Sequence, residues 1–416
     1  MESKEIQEEM FRSMFRLKHL NMSRMLTDIS IGEYKILELC SGCQKRGAEA
    51  DGTYVSGMAE KMRVSSPAVS RLLKGMEGKN YITRHADVKD RRNTRVYLTE
   101  AGREKQEECR KILSHFTEQV IDRIDYELSK RGYYGDAFPF FSLDCMEQGV
   151  VSAFCGARPD NSSGTMWFFP EKELPLEEMH FRFDPENPYF KRVAELLKAG
   201  IDRWGDMVIL GLPDLGGAVD ILATFRTTEN LLFDLYDNPD EVKRLIAEIS
   251  DVWFQYYQAL YSIDGMRERG YCDWSGIWSA KPSYILQCDF SYMIGSEMFR
   301  EFALEELRQT SAKLSRCFFH LDGPGEIKHV DDLLSIKTLN GIQWIPGSGN
   351  GTPADYPELY KKIADAGKKV QIRHAGYDQL AVLRRAIGND AAIHHATMIY
   401  EQQDKDWVLS NLKALG

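Results

Sequence analysis

Residues 55–102, VSGMAEKMRVSSPAVSRLLKGMEGKNYITRHADVKDRRNTRVYLTEAG, decide the fold of the amino-terminal part of the chain. The stretch Val55–Met62 has the pattern of a short helix, and a tight turn follows at residues 63–65. Ser66 then precedes Pro67, and this pair favours the start of a helix: serine caps free backbone N–H groups, and proline has a fixed φ. A second helix is therefore predicted to begin here.

The second helix is predicted to be amphipathic. Its apolar residues recur at the i, i+3, i+4, i+7 spacing of a buried stripe, formed by Val69, Leu72, Leu73 and Met76. The opposite face carries hydroxyl side chains and two cations, namely Ser65, Ser66, Ser70, Arg71 and Lys74. Hydroxyl groups suit phosphate contacts and long basic side chains reach base edges, so this face is predicted to enter a DNA major groove.

Two predicted strands, Tyr81–Arg84 and Thr94–Thr99, flank a basic loop whose tip carries Lys89, Arg91 and Arg92. Residues 54–99 hold ten Lys or Arg against four Asp or Glu, a net charge of +6, whereas the whole chain has a net charge of −10. A basic hairpin alone is often an ordinary solvated loop. Directly after a capped basic helix, it predicts a winged helix whose wing reaches a minor groove of double-stranded DNA.

This part of the chain resembles the MarR family of transcription regulators, over about residues 5–128. The resemblance rests on SSPAVSRLL at residues 65–73, on Asp90-Arg91-Arg92 in the wing and on YLTEAG at residues 97–102. It implies a dimer that binds a pseudo-palindromic operator and is held together by helices from both ends of the domain.

Two amphipathic stripes fit the implied dimerisation. One consists of Ile6, Met10, Met14 and Leu17, and the other of Ile112, Phe116, Val120 and Ile124. Packing of these stripes within one monomer is the alternative. A homodimer is favoured because a single winged helix covers little DNA and a second copy doubles the contacts.

The composition is that of a protein with two or three domains and a large core, with 416 residues, of which 43% are hydrophobic. The sequence has no apolar run of the roughly 18 residues that a membrane helix needs, and no apolar signal segment, so neither a membrane partner nor secretion is expected. Eight cysteines without disulfide-like spacing favour free thiols and a cytoplasmic location. The pair Cys40 and Cys43 is predicted to be structural.

Helical periodicity stops at residues 129–132, so we expect a multidomain protein of α and α/β class. Residues 1–130 would form the winged-helix DNA-binding and dimerisation domain, and residues 131–416 a second domain in which short strands alternate with helices. This alternation predicts a parallel sheet, most simply a (β/α)8 TIM-barrel-like fold. The predicted strands are Phe138–Leu143, Met166–Phe169, Met207–Leu210, Tyr271–Ser275, Cys317–His320, Gly341–Trp344, Lys369–Arg373 and Ala391–His395. The longest predicted helices are Pro239–Ile263, Ser296–Leu314 and Tyr356–Ala366.

Polar residues follow the predicted strands, at the end where barrel enzymes carry their chemistry. The predicted catalytic residues are Asp289, His320 and Asp322, because carboxylates and imidazole beside apolar strands must be paired or used. The predicted ligand-binding residues are Asp220, Trp274, Trp278, Gln343 and Trp344. Core packing of the tryptophans and helix capping by the aspartate are the alternatives.

The second domain resembles the uroporphyrinogen decarboxylase superfamily, which includes methyltransferases that move methyl groups between corrinoid proteins and thiols. The resemblance covers roughly residues 133–399. It rests on Asp289 with MIGSEMF at residues 293–299, on HLDG at residues 320–323, and on DDLL at residues 331–334 with Ile342-Gln343-Trp344. It implies a (β/α)8 barrel, and it makes zinc and a corrinoid candidate cofactors.

The sequence departs from that superfamily at two places. Its zinc-dependent methyltransferases carry a His-x-Cys pair and a later cysteine, whereas Asp322 stands at the first cysteine position here and no cysteine follows Cys317. No metal site is predicted, since His320 and Asp322, even with His394 or His395 as a third ligand, lack the thiolates. The arginine-rich segment of the decarboxylases would fall within the winged helix, so the first barrel strand is expected to be missing or replaced.

Two classes of function follow. In the first, the protein is a transcription regulator whose second domain senses a small molecule, such as a tetrapyrrole, a corrinoid or a methylated metabolite. In the second, that domain is an enzyme, a corrinoid-dependent methyltransferase or a porphyrinogen decarboxylase, with a DNA-binding domain attached. The complete DNA-binding surface and the incomplete zinc motif favour the first class.

Overall fold

A computed structural model describes residues 28–44, 53–62, 65–87, 93–130, 132–133, 136–142, 148–160, 165–373, 375, 377–396 and 410. The contacts separate two compact units, residues 1–132 and residues 133–416. The predicted stripe at residues 6–17 and the wing-tip residues 88–92 lie outside the described residues, as do the side chains of residues 113–123.

The first unit contains a winged helix-turn-helix. Its described helices are Ile31–Gln44, Val55–Met62, Ser66–Gly78 and Glu100–Lys130. Its strands are β1 (Thr53–Tyr54), β2 (Ile82–Ala86) and β3 (Thr94–Leu98). They form an antiparallel sheet in the order β1-β3-β2, and β2 and β3 are the two strands of the predicted wing.

The core of the first unit is made of the faces that the hydrophobic pattern predicts. Val69, Leu73 and Met76 of helix Ser66–Gly78 are fully buried. They belong to one apolar cluster with Ile36 of helix Ile31–Gln44, and Leu72 packs against its edge. Each such side chain stabilises the fold by about 1.5–3 kcal/mol when it leaves water.

The second helix begins with a serine cap, one residue earlier than predicted. Ser65 is the N-cap residue: its backbone is extended, and its hydroxyl accepts a hydrogen bond from the backbone N–H of Ala68 at 3.4 Å. Ser66 is then the first helical residue and Pro67 the second. Proline is tolerated at this position because the first backbone N–H groups of a helix have no partner within it.

The second unit is a mixed α/β structure. Its helices are Val151–Phe154, Pro188–Trp204, Ala218–Arg226, Thr228–Asp237, Pro239–Tyr261, Ser296–Phe299, Glu305–Lys313, Val330–Leu334, Pro357–Asp365 and Tyr377–Ile387, and the π-helical turn Arg300–Leu304 joins two of them. Its strands are β4 (Phe140–Ser142), β5 (Arg158–Asp160), β6 (Trp167–Phe169), β7 (Ile209–Gly211), β8 (Ser283–Gln287), β9 (Arg316–Asp322), β10 (Gly341–Ile345), β11 (Lys369–Arg373) and β12 (Ile393–Ala396).

The parallel strands of this unit are neighbours in chain order. Strands β8 to β12 form one five-stranded parallel sheet, and β4 pairs in parallel with β7. Between the two groups, Leu212 forms a parallel bridge with Asp273, and the Asp273 carboxylate accepts a hydrogen bond from the Ile285 N–H of β8 at 2.8 Å. No pairing of β12 with β4 occurs among the described residues, so the structure does not show a closed barrel.

The strands differ from the sequence prediction at several places. The predicted strand Tyr271–Ser275 does not form, and only isolated bridges occur there, at Tyr271 and Asp273. Strand β5 was not predicted. The predicted strand Met166–Phe169 corresponds to β6, which pairs antiparallel with β5 in a separate hairpin. The sheet instead includes Ser283–Gln287, which was not predicted because all five of its residues are buried and it shows no alternation of apolar and polar residues. Strand β4 precedes β7 in the chain and pairs with it in parallel, and the expected loss of the first barrel strand stays a prediction.

The helices of the second unit cover the sheet with their apolar sides. Helix Pro239–Tyr261 buries the aromatic residues Trp253, Tyr256 and Tyr257, and the Trp253 ring meets the Tyr284 ring of β8 edge-on at 5.1 Å. None of the described helices combines the length and the apolar character needed to cross a membrane.

Candidate functional site

The predicted DNA-facing side of helix Ser66–Gly78 is exposed. Arg71, Lys74 and Ser70 point to solvent, whereas the stripe on the other side of the helix is buried. The ion pairs on this part of the unit engage other cations, Lys79 with Glu33 and Arg84 with Glu77. The face therefore presents two long basic side chains and three hydroxyl groups beside the N-terminal end of a capped helix.

The base of the wing is fixed by a hydrogen-bond network around the buried Asp87, which the sequence did not predict. The Asp87 carboxylate accepts hydrogen bonds from the Tyr54 hydroxyl, at 2.7 Å, and from the Arg95 guanidinium. The Arg95 guanidinium also lies over the Tyr54 ring, 4.6 Å from its centre. Asp87 is only 3% exposed, and its N–H donates to the Asn93 carbonyl at 2.8 Å, which closes the hairpin. The predicted tip cations Lys89, Arg91 and Arg92 lie beyond this closure, outside the described residues.

In the second unit, carboxyl groups gather at the carboxyl ends of the strands. Asp220, in the first turn of helix Ala218–Arg226, accepts hydrogen bonds from the N–H groups of Asp289, at 3.1 Å, and Phe290, at 2.7 Å. The Glu326 carboxyl accepts from the Asp322 N–H at 2.9 Å. Asp220 therefore does cap a helical turn, but the turn is the one that begins at Asp289.

Burial and mutual repulsion make these carboxyl groups weak acids. Burial, and next the charge of Asp289, raises the pKa of Asp220 to about 7. Burial and the charge of Asp322 raise the pKa of Asp289 to about 6. Burial and the neighbouring carboxylates raise the pKa of Glu326 to about 9. Glu326 is therefore protonated at neutral pH, whereas Asp220 and Asp289 titrate near it.

His320 is held by a chain of amide hydrogen bonds that crosses the sheet. Its Nδ1 lies 2.5 Å from Gln343 Oε1, Gln343 Nε2 donates to Gln371 Oε1 at 2.5 Å, and Gln371 Nε2 donates to the Ser275 carbonyl at 3.0 Å. A carbonyl oxygen only accepts, so each amide in the chain is fixed in orientation, and Nδ1 of His320 must carry the proton. Burial lowers the pKa of His320, so the neutral ring presents its Nε2 lone pair.

The structure brings most of the predicted site residues together. His320 and Asp322 lie two residues apart on β9, on the same face of the sheet. Gln343 is in register with His320, and the Trp274 ring meets the His320 ring edge-on at 5.1 Å. Asp289, Asp322, Glu326 and His320, with Asp220 behind them, are called the carboxyl cluster below.

Two predicted ligand-binding tryptophans lie elsewhere. Trp344 follows Gln343 on β10, so strand alternation turns it to the other face, where it is fully buried against the Tyr356 ring at 5.0 Å. Trp278 is 46% exposed, its ring N–H donates to the Arg269 carbonyl, and it lines a cavity near the strand starts. Both are placed by packing rather than by the carboxyl cluster.

Several buried polar atoms around the carboxyl cluster have no hydrogen-bond partner among the described residues. They are Asp289 Oδ1, Glu326 Oε1, Gln287 Oε1 and Trp274 Nε1. Gln287 is in register with His320, so it faces the same side of the sheet. Buried polar atoms are normally paired, so a group of unpaired ones indicates a partner such as a ligand, an ion or a water molecule.

The cluster does not have the ligands of a zinc site. In the described part of the chain, no three His, Cys, Asp or Glu side chains converge in an arrangement that could hold a metal ion. Burial raises the pKa of the Cys317 thiol, which is three residues before His320 and so faces the other side of β9. His394 lines the cavity near the strand starts, and the side chain of His395 is outside the described residues.

Three further polar residues were not predicted, and the first two lie on the same face of the sheet. Gln371 completes the amide chain, and Arg373, two residues later on β11, is also largely buried. Asp273 accepts hydrogen bonds from Ser275 and Ile285, and burial raises its pKa to about 6. The alternation Gln371-Ile372-Arg373 within a predicted strand was the pattern that could have indicated the first two.

The amino-terminal part of the chain has known relatives. Residues 46–94 match the sequence profile of the MarR family. A stretch of 97 residues is 31% identical to the uncharacterized HTH-type transcriptional regulator YdgJ of Bacillus subtilis (strain 168), over 22% of this chain and 59% of that protein. The chain therefore spans less than two thirds of the length of this relative.

Solved structures align with each part of the chain. The S. aureus MepR–DNA complex aligns with a TM-score of 0.23 at 21% identity, over 30% of this chain and 93% of that chain. A methyltransferase from Methanosarcina mazei aligns with a TM-score of 0.45 at 11% identity, over 61% of this chain and 73% of that chain. Both TM-scores are too low to define a shared fold.

The helices and the hairpin of residues 53–98 form a winged helix-turn-helix. Over the matched residues 46–94, this winged helix-turn-helix is similar to that of the MarR family.

Proposed function

We propose that the protein is a MarR-type transcription regulator that binds double-stranded operator DNA as a homodimer. The observation that carries the proposal is the two-sided helix Ser66–Gly78, which buries Val69, Leu73 and Met76 and leaves Arg71 and Lys74 exposed. In this role the helix enters the major groove, and the anchored hairpin β2–β3 carries its basic tip toward a minor groove.

The experiment is a mobility-shift titration of an operator selected from random DNA. We expect Arg71→Ala to weaken operator binding by about 1–3 kcal/mol and to relax the sequence preference at one position of each half-site. Lys111→Ala is the matched control: Lys111 is an exposed cation of the same unit on helix Glu100–Lys130. The proposal fails if Arg71→Ala binds the operator as tightly as the control.

We further propose that the second unit binds a small molecule at the carboxyl cluster. We also propose that its eight parallel segments, namely β4, β7, the segment at Asp273 and β8 to β12, complete a (β/α)8 barrel. The support is the consecutive order of β7, Asp273 and β8 to β12, together with the unpaired polar atoms that face one side. A tetrapyrrole, a corrinoid or a methylated metabolite is the proposed ligand class. Calorimetric titration of wild type and Asp289→Asn with these classes tests the site.

A second candidate function is catalysis at the same cluster, by an enzyme of the uroporphyrinogen decarboxylase superfamily. It is favoured by Asp289, whose pKa of about 6 suits proton transfer near neutral pH, and by the neutral His320 beside it. Methyl-transfer and decarboxylation assays of wild type against Asp289→Asn distinguish the two functions, because a sensor binds its ligand without turnover.

A further inference from the structure

A cavity of about 640 Å³ opens at the opposite end of the strands from the carboxyl cluster. Its wall includes Ser283 and Arg316, the first residues of β8 and β9, and Lys369, the first residue of β11. The carboxyl cluster includes Asp322, the last residue of β9. The cavity is therefore separated from the cluster by the length of the strands.

The lining of this cavity is basic in a chain whose net charge is −10. It includes Arg316, Lys337, Lys368 and Lys369, against one carboxyl group, Asp273. That carboxyl group is already engaged by the N–H groups of Ser275 and Ile285. Four cations against one carboxyl group in a concave site concentrate positive potential and favour an anion.

Two of the cations donate hydrogen bonds to backbone carbonyl groups rather than to carboxylates. Lys368 Nζ donates to the carbonyls of Ile336, at 2.7 Å, and Leu339, at 2.6 Å, so it fixes the loop that carries Lys337. Arg316 donates from one guanidinium nitrogen to the Ser315 carbonyl at 2.9 Å. Among the described residues, neither Lys337 nor Arg316 forms an ion pair, so both keep charged donors for a ligand.

The rest of the lining combines apolar side chains with uncharged polar ones, among them Ser283, Asn340 and His394. Ile277, Leu339 and Ile393 contribute aliphatic surface, and Trp278 contributes its indole ring. Ser283 is 5% exposed, and its Oγ has no hydrogen-bond partner among the described residues. A buried hydroxyl without a partner is an independent indication that the cavity accommodates a polar ligand atom.

We propose that this cavity binds an amphipathic organic anion, with its carboxylate, sulfonate or phosphate group on Arg316 and Lys337 and its apolar body against Ile277 and Leu339. The charged donors match an anionic head, and the volume accommodates a body of drug-like size. The site shares no residue with the carboxyl cluster or with the DNA-facing helix. A test of this site is therefore independent of the proposed function.

The test is isothermal titration of the full chain with naphthoate and with naphthalenemethanol, two probes of similar shape that differ in charge. We expect naphthoate to bind and naphthalenemethanol to bind at least roughly tenfold more weakly. Binding of naphthoate should also weaken as the salt concentration rises, because the head group lies near the mouth of the cavity.

The variant that tests the residues is Arg316→Gln with Lys337→Gln, for which we expect roughly tenfold weaker binding of naphthoate. Lys172→Gln is the control, because Lys172 is an exposed lysine of the same unit outside the cavity. If the double variant does not fold, Lys337→Glu alone replaces it, since Lys337 is exposed and its substitution leaves the core intact. Equal binding by the variants and the control, or equal binding of the two probes, overturns the proposal.

Discussion

Burial and neighbouring charges raise the pKa of Glu326 further than the pKa of Asp220 or Asp289. It is 1% exposed, it accepts one hydrogen bond from the Asp322 N–H, and three other carboxylates repel its charge. The folded protein therefore keeps Glu326 protonated up to a pKa of about 9, whereas a glutamate in the unfolded chain ionises at about 4.3. Between these values the folded state binds more protons than the unfolded state, so stability falls as pH rises.

Glu326→Gln should remove this pH dependence, because glutamine keeps the acceptor oxygen and cannot ionise. We expect the difference in unfolding free energy, variant minus wild type, to grow with pH because only the wild type loses this stability. The growth should be up to about 1.4 kcal/mol for each pH unit between about pH 5 and about pH 8. Urea unfolding of the second unit at several pH values measures this difference. Glu171→Gln, at an exposed position, is the control and should follow wild type at every pH.

At the scale of residues, the sequence predicted the members of the cluster better than their partners. Asp289, His320 and Asp322 were predicted because carboxylates and an imidazole beside apolar strands must be paired or used. Trp344 was misplaced because the strand boundary alone does not tell which face a residue occupies. Gln371 was missed because its role depends on Gln343 and His320. These three residues lie on different strands, which pair only in the folded chain.

At the scale of elements, helix Glu100–Lys130 depends on a glycine in its first turn. A Cβ atom built on Gly102 would lie 1.9 Å from the carbonyl oxygen of Tyr81, which itself accepts a hydrogen bond from the Thr99 N–H. The helix therefore passes over the start of β2 at a distance that only glycine permits. This contact gives a physical reason for the glycine in the YLTEAG motif.

Gly102→Ala should destabilise the first unit by more than about 3 kcal/mol, because backbone must move on one side of the contact. Gly57→Ala is the matched control in helix Val55–Met62, where nothing lies within 4 Å of the added Cβ atom. Alanine there should stabilise the helix by about 0.5–1 kcal/mol. Thermal unfolding of the two variants gives the comparison, and similar melting temperatures would contradict the contact.

The order of elements was predictable where the pattern was regular. Helix Pro239–Tyr261 and strand Lys369–Arg373 were predicted within two residues of their observed bounds, because a long helix and an apolar strand each repeat one period. Strand β6 was assigned to the wrong sheet, since a short apolar strand does not indicate its partner. Strand β8 was not predicted because all of its residues are buried, so it shows no alternation of apolar and polar residues.

At the scale of the whole molecule, the predicted homodimer follows from the MarR-type winged helix and the amphipathic stripes on either side of it. Ile124 is buried within the first unit, whereas the stripe at residues 6–17 lies outside the described residues. We expect the full chain to run as a dimer in light scattering at micromolar concentration. Charged residues at Met14 and Phe116 should produce a monomer with much weaker operator binding, because one half-site loses its partner. A monomeric wild type would refute the dimer.

The amide chain from His320 to Ser275 also decides how protons move at the cluster. Carboxamide groups hold hydrogen bonds but do not exchange protons readily, unlike a carboxylate or a water molecule in the same position. Gln343 and Gln371 therefore orient the imidazole and do not pass protons between it and the interior of the sheet. Any proton that His320 gains or gives up must pass through Nε2, on the side where a ligand would lie.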